Sequence, residues 1–207
     1  SISGTDELSH VMWTDGTLNY EGGETYTVNS DTVLKPVFAP KSYGEYGIKY
    51  AADGKTGIRF KTSVSARLEQ NSVTAGFIIA LADDISPENL TFEYCRANDI
   101  NYVFGTSMEK DSDGSFGKHL VFDTDKTTGD VFYMARAVGF DVTDARQVKA
   151  ALVVRPYVCD KDGNYTYGNP ESSSVYESAE RVKNGGYYDD LDDATKKIIE
   201  EILKKGK

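Results

Sequence analysis

The stretch "GIRFKTSV" at residues 57–64 alternates without a break: Ile58, Phe60, Thr62 and Val64 fall at one parity, Arg59, Lys61 and Ser63 at the other. Successive side chains of a strand leave opposite faces, so the segment reads as a β-strand with one apolar and one polar face. Upstream, "GIKYAADGKTG" supplies a first strand and a hairpin turn. Downstream, "SVTAGFIIALADD" at 72–84 is a more continuous apolar run, which predicts a strand covered on both faces. "TFEYCRA", "NYVFGTSM", "KHLVFDTD" and "GDVFYMARAVGF" follow as further strands, parted by the turn clusters "DSDGSFG" and "DTDKTTGD". "KAALVVRPYVCDKDGNYTYG" at 149–168 reads as a strand, a D-G hairpin and a short return strand. Many short strands at this spacing predict a mainly β chain built as an antiparallel β-sandwich, jelly-roll-like in form.

The two ends differ from this body. Residues 12–38, "MWTDGTLNYEGGETYTVNSDTVLKPVF", are dense in turns and read as a short hairpin, with "FAPKSYGEYG" after it as a Pro/Gly/Ser linker. At the other end, "SSSVYESAERVKNGG" fits a short helix closed by a Gly C-cap. "YYDDLDDATKKIIEEILKK" at 187–205 is the clearest helix, with Asp in its first turn and Lys in its last. Asp192–Lys196, Asp193–Lys197, Glu200–Lys204 and Glu201–Lys205 stand as i,i+4 pairs, and Leu191, Ile198, Ile199, Ile202 and Leu203 form one apolar stripe. The expected organisation is a β-repeat-like fragment over 1–40, a sandwich module over 41–187 and an amphipathic helix over 188–207 packing on the module.

Two resemblances bear on this organisation. The W-x-D-G turn, the G-G-x-T-Y-T-V strand and the closing D-T-x-L-x-x-V-F strand within 12–38 resemble the C-terminal half of the internalin-type B-repeats of bacterial surface proteins. That resemblance implies an extracellular setting and a small β-grasp-like spacer or adhesive unit. More loosely, "GIRFKTSVSARL", "AGFIIA", "RPYVCDKDGNYTYG", "SVYESA" and the acidic terminal helix, in that order over roughly 46–205, resemble a β module of multimodular secreted proteins of Clostridia and Ruminococci, cellulosomal ones included. It implies a secreted context of plant polymers or host surfaces.

Composition narrows the function classes. With 23 basic and 33 acidic residues the net charge is −10, and the pI is near 4.7. Such a balance disfavours nucleic acid and anionic membrane as partners. No run reaches the roughly 18 apolar residues of a membrane span, so no membrane insertion is expected. The opening "SISGTDELSH" reads as a cut from a longer, multimodular chain. Cys95 and Cys159, both in strand-like runs, have no metal spacing; a disulfide between neighbouring strands and two buried thiols are the alternatives.

Catalytic signatures are lacking. The chain has two His, His10 and His119, and no G-x-S-x-G elbow. Glu93, embedded in an apolar run, is the carboxylate most open to a raised pKa, with an ion pair to Arg59, Arg136 or Arg155 as the plainer reading. "DSDGS" (Asp111, Asp113, Ser115) and "DKDGN" (Asp160, Asp162, Asn164) have the carboxylate spacing of calcium loops, and the second carries Glu171 at the twelfth place. Its sixth place is Tyr165 rather than Gly, which argues for a plain hairpin. No cofactor is expected, with structural calcium left open. The remaining chemistry is aromatic: sugar rings stack on Trp and Tyr while polar side chains take the hydroxyls. Trp13, Tyr20, Tyr165 and Tyr167, with Asp162 and Asn164 beside the last two, are the candidate ligand-binding residues. The expected function is a non-catalytic, extracellular module binding a neutral polysaccharide; the alternative is a spacer, adhesin or protein-interaction unit.

Overall fold

A computed structural model describes residues 11–21, 23–27, 31–49, 56–65, 72–109, 121–127 and 129–207. Among them the chain runs β1 (Val11–Thr14), β2 (Asn19–Tyr20), β3 (Lys35–Phe38), β4 (Lys41–Lys49), β5 (Thr56–Val64), β6 (Ser72–Leu81), a 3-10 turn (Pro87–Asn89), α1 (Phe92–Ala97), β7 (Val103–Glu109) and β8 (Val121–Thr124). It continues through β9 (Val131–Phe140), α2 (Ala145–Lys149), β10 (Leu152–Asp160), β11 (Tyr165–Tyr167), β12 (Glu171–Ser173), α3 (Val175–Asn184) and α4 (Asp193–Gly206). The protein is mainly β, its sheets are antiparallel, and a helix closes its C-terminus.

Three sheets form. The first has the order β2-β1-β3; the second runs β11-β10-β6-β7 with β12 also on β10; the third runs β4-β5-β9-β8. The alternation of β5 is realised as read. Ile58, Phe60 and Val64 enter a cluster with Phe77 and Ile79 of β6, Val131 and Tyr133 of β9, and Val154 and Val158 of β10. One apolar core thus draws on both large sheets. Burying side chains of this size stabilises by about 1.5–3 kcal/mol each, before the entropy of ordering them. Strand β6 is covered twice. Phe77 and Ile79 face that core, whereas Ile78 and Ala80 pack with Leu90, Phe92, Cys95, Val153 and Tyr157 in a second cluster. The excursion between β6 and β7 supplies its lid. Gly76 in β6 is required: a Cβ there would lie 2.1 Å from the Gly105 carbonyl oxygen and 2.8 Å from the Tyr157 hydroxyl.

Two segments differ from expectation. "TFEYCRA" is helical: the Thr91 hydroxyl accepts the Tyr94 N–H at 3.1 Å as an N-cap. Phe92 and Cys95, one turn apart, are buried while Glu93, Tyr94 and Arg96 are exposed. The supposed linker "FAPKSYGEYG" lies mostly in β4, whose glycines Gly44 (φ 74) and Gly47 (φ 109) occupy register shifts against β5. Cys95 and Cys159 are buried and unpaired.

At the C-terminal end, α3 starts with a capping box between Ser174 and Glu177 and ends at Gly185 in extended backbone (φ −78), not in a left-handed cap. Asp192 caps α4 by accepting the Thr195 N–H. The apolar stripe packs as read, with Ile199 and Ile202 fully buried. Its charges pair differently: Glu200 takes Lys183 of α3 at 2.8 Å, and Lys196 donates to the Asp189 carbonyl at 2.7 Å. Glu45 of β4, 7% exposed, binds Arg181 of α3 at 2.6 Å and accepts from Ser178 at 2.7 Å, tying this end to the third sheet.

Candidate functional site

The first sheet is clasped to the second. The Asn169 side chain accepts the Asn19 backbone N–H at 2.9 Å and donates to the Asn19 carbonyl at 2.8 Å, so one amide mimics a neighbouring strand. The Asn19 side chain donates to the Tyr167 carbonyl at 2.9 Å. Arg155, 4% exposed, donates to three carbonyls: Nε to Gly168 at 2.7 Å, Nη1 to Glu88 at 2.9 Å and Nη2 to Thr17 at 2.8 Å. The expected carboxylate partner for Arg155 is therefore replaced by carbonyl dipoles from three segments. Burial lowers the pKa of its guanidinium. The Tyr167 ring lies 5.3 Å beneath it.

Between these partners runs a groove of about 400 Å³. Thr14, Gly16, Thr17 and Asn19 come from the first sheet; Glu88, Asn89, Thr91 and Tyr94 from the excursion; Arg155, Tyr165, Thr166 and Tyr167 from the β10–β11 hairpin. Tyr165 and Tyr167, two positions apart on β11, stack at 6.1 Å between centroids and 23°. Phe92 lies 4.7 Å from Tyr165 and 5.0 Å from Tyr157. The Tyr167 hydroxyl accepts the Phe92 N–H at 3.0 Å and donates to Glu93 at 2.8 Å. Burial, then the Glu93 carboxylate, pushes its pKa well up, so it stays a neutral phenol. Glu93 therefore pairs with a tyrosine, not with Arg59, Arg136 or Arg155. The hydroxyls of Thr17, Thr166 and Tyr94 and the Asn89 amide make no hydrogen bond among the described residues, and Tyr94 is 38% exposed.

Six residues were candidates from the sequence. Tyr165 and Tyr167 reach the groove, as half-buried walls. Trp13 and Tyr20 do not line it. They face each other across β1 and β2, in register with Pro36 on β3, on the side of the first sheet opposite Thr14. Tyr20 is held there by Asp15 at 2.9 Å and by the edge of Tyr26 at 5.0 Å. Asp162 and Asn164 sit at the hairpin tip. The Asp160 carboxylate accepts the N–H groups of Asp162 and Asn164 and the Asn164 side chain, all at 2.8–2.9 Å, while Asp162 meets Lys161 at 3.6 Å.

The second calcium-like loop is thus a turn held by its own aspartate, and these backbone bonds keep the Asp160 pKa low, the Asn164 side chain contributing most. Among the described residues no three His, Cys, Asp or Glu converge on a possible metal position. Asp111, Asp113, Ser115, His10 and His119 lie outside the described residues. Tyr188 is 9% exposed and roofed by Lys183 at 4.0 Å.

The sequence does not single out Thr17, Asn89, Thr91, Tyr94 or Thr166, and it offers Arg155 only as an ion-pair partner for Glu93. Reading 92–97 as a helix would have turned Tyr94 outward; for the others no local pattern exists. Chemically, the groove offers neutral donors and acceptors beside aromatic rings, with Glu88 as its one lining carboxylate. Compared with family models, with curated proteins and with solved structures, the chain matches none.

Proposed function

We propose that the chain is a non-catalytic carbohydrate-binding module, and that the groove beneath the first sheet takes a segment of a neutral polysaccharide. In this reading the two large sheets form a jelly-roll-like β-sandwich. The module belongs to a larger extracellular bacterial protein, carbohydrate-active or cell-surface, as the resemblances imply. It needs no cofactor. One observation carries the reading: four uncommitted hydroxyl and amide groups (Thr17, Asn89, Tyr94, Thr166) surround the stacked pair Tyr165–Tyr167 in one groove. Hydroxyl-rich ligands are bound by such neutral groups set beside an aromatic face.

The rival reading, a spacer, adhesin or protein-interaction unit, is favoured by a different observation. Tyr165 and Tyr167 pack into the Phe92 cluster and so have a structural role without any ligand.

Affinity gel electrophoresis against a panel of neutral soluble polysaccharides separates the two. Retardation by one polymer, abolished by Tyr94→Ala and Asn89→Ala and kept by Trp13→Ala, is expected. Loss on Trp13→Ala alone would move the site to the Trp13–Tyr20–Pro36 row. Unchanged mobility in every polymer would leave the spacer reading.

A further inference from the structure

The third sheet has an outer face that contributes no residue to the groove lining. Opposite Ile58 and Phe60, the pleat of β5 places Arg59, Lys61 and Ser63 on the other face, with Ser63 buried under Tyr43, whose hydroxyl accepts from it at 3.2 Å. Register then aligns Arg59 with Arg136, Lys61 with Met134, and Ser63 with Phe132 and with Lys41. Four basic residues, Lys41, Arg59, Lys61 and Arg136, therefore share one face of three strands. The one carboxylate these strands contribute, Glu45, turns away to Ser178 and Arg181. At the margin of this face Glu21 meets Lys41 at 2.8 Å.

In a chain with 33 acidic and 23 basic residues this is a local inversion of sign. Arg59 directly opposite Arg136 is an unfavourable pairing in an isolated sheet. Neither is compensated. The Arg59 Nε–H is buried without a hydrogen-bond partner, and Nη2 reaches only the Ile48 carbonyl at 3.2 Å. Arg136 is exposed and meets no carboxylate among the described residues. Beside them Tyr43, 43% exposed, and Phe132 lie 5.8 Å apart, with the Lys61 ammonium 5.2 Å and 4.6 Å from their centroids.

We propose that this face binds an acidic polysaccharide, its carboxylates received by Arg59 and Arg136 and its sugar rings resting on Tyr43 and Phe132. A guanidinium fork matches a planar carboxylate bidentately, and a carboxylate lying between Arg59 and Arg136 relieves their repulsion. Charge density selects this polyanion over nucleic acid. Duplex DNA carries a charge every ~1.7 Å of its axis, so most of its phosphates would face the acidic remainder of this protein. A polyuronate carries one charge per sugar and needs only a few to meet the patch.

The test is affinity electrophoresis of the intact chain in gels containing polygalacturonate or its fully methyl-esterified form. Retardation by the acid form alone is expected, lost near ~1 M NaCl, where screening acts within ~3 Å. Arg136→Glu should weaken it about tenfold and Arg136→Lys less, because the lysine keeps the charge without the fork. Tyr94→Ala, a groove variant, should leave it unchanged, so failure of the groove reading and failure of this one are separable. Arg136→Ala provides a second variant should charge reversal perturb folding, judged by circular dichroism. Equal retardation by the ester, or native behaviour of both Arg136 variants, would overturn the proposal. So would tighter binding of a single-stranded oligonucleotide. Sedimentation showing self-association that Arg136→Glu abolishes, without polymer binding, would assign the face to acidic segments of a second copy and equally overturn it.

Discussion

Replacing Asn169 by Asp tests whether the first sheet is held by the amide clasp. In Asn169→Asp the oxygen that accepts the Asn19 N–H survives, while the group that donates to the Asn19 carbonyl at 2.8 Å becomes a second carboxylate oxygen. The loss of one hydrogen bond is worth ~1 kcal/mol, and a part-buried carbonyl left without a donor adds ~1–2 kcal/mol. The sum, about 2–3 kcal/mol, corresponds to a thirtyfold to hundredfold increase, roughly, in the opening constant of the first sheet. Because the clasp joins β1–β3 to the rest, that increase should be local. Amide hydrogen exchange at residues 11–21 and 35–38 should accelerate, while β5, β6 and β10 keep their protection.

Acid should reverse the effect. The introduced carboxyl faces a carbonyl, so its pKa in the docked state lies above its value in the opened state. The docked state is then penalised at neutral pH and recovers as pH falls, when the protonated carboxyl can donate to the Asn19 carbonyl. Asn169→Ala, which cannot protonate, should show no such recovery. Native exchange rates at residues 11–21 in Asn169→Asp would refute the clasp as the source of docking energy. Equal loss of protection throughout the second sheet would refute its local character.

Two further outcomes follow from buried groups in the body. The Tyr133 hydroxyl is fully buried beside Thr62 without reaching hydrogen-bond geometry, and burial drives its pKa far up. Tyr133→Phe should therefore raise the urea midpoint, by about 1 kcal/mol of stability; a lowered midpoint would mean that the hydroxyl is bonded after all. Glu171, half-buried beside Ser42, has its pKa raised by desolvation. A folded-state pKa above the unfolded one favours folding at low pH and loses that contribution as pH rises through the folded value. Glu171→Gln should thus be more stable than the native chain at pH 7 and flatten the pH dependence of stability above the ordinary carboxylate range; parallel curves would contradict this.

Much of the body could be read from periodicity. β5 and β9 announce themselves by alternation, β6 by a continuous apolar run that two clusters cover, and α4 by its Asp cap and Lys end. Short segments were misread for a physical reason. In "TFEYCRA" the buried pair Phe92 and Cys95 fits a helical turn, but Tyr94 between them also fits alternation, and the Thr91 cap decides between the two. In β4 the glycines that suggest a linker are bulge residues. The groove was half legible. Tyr165 and Tyr167 stood out as aromatics at a hairpin, whereas Thr17, Asn89 and Arg155 meet only through tertiary contact. The basic face needed the pairing of Arg59 with Arg136, which depends on the register between two strands far apart in the sequence.

The Asn19–Asn169 clasp spans 150 residues of chain, and this imposes a timetable on biosynthesis. The sheet β2-β1-β3 is local in sequence and can assemble as soon as it emerges. Arg155, Tyr167 and Asn169 are made only afterwards, so at ~5–20 residues per second this sheet waits roughly 6–26 s for its partners. Throughout that interval its Met12 face, buried in the finished protein, is open to whatever else is present. The first sheet is thus covered by strands made more than a hundred residues after it, β10 and β11.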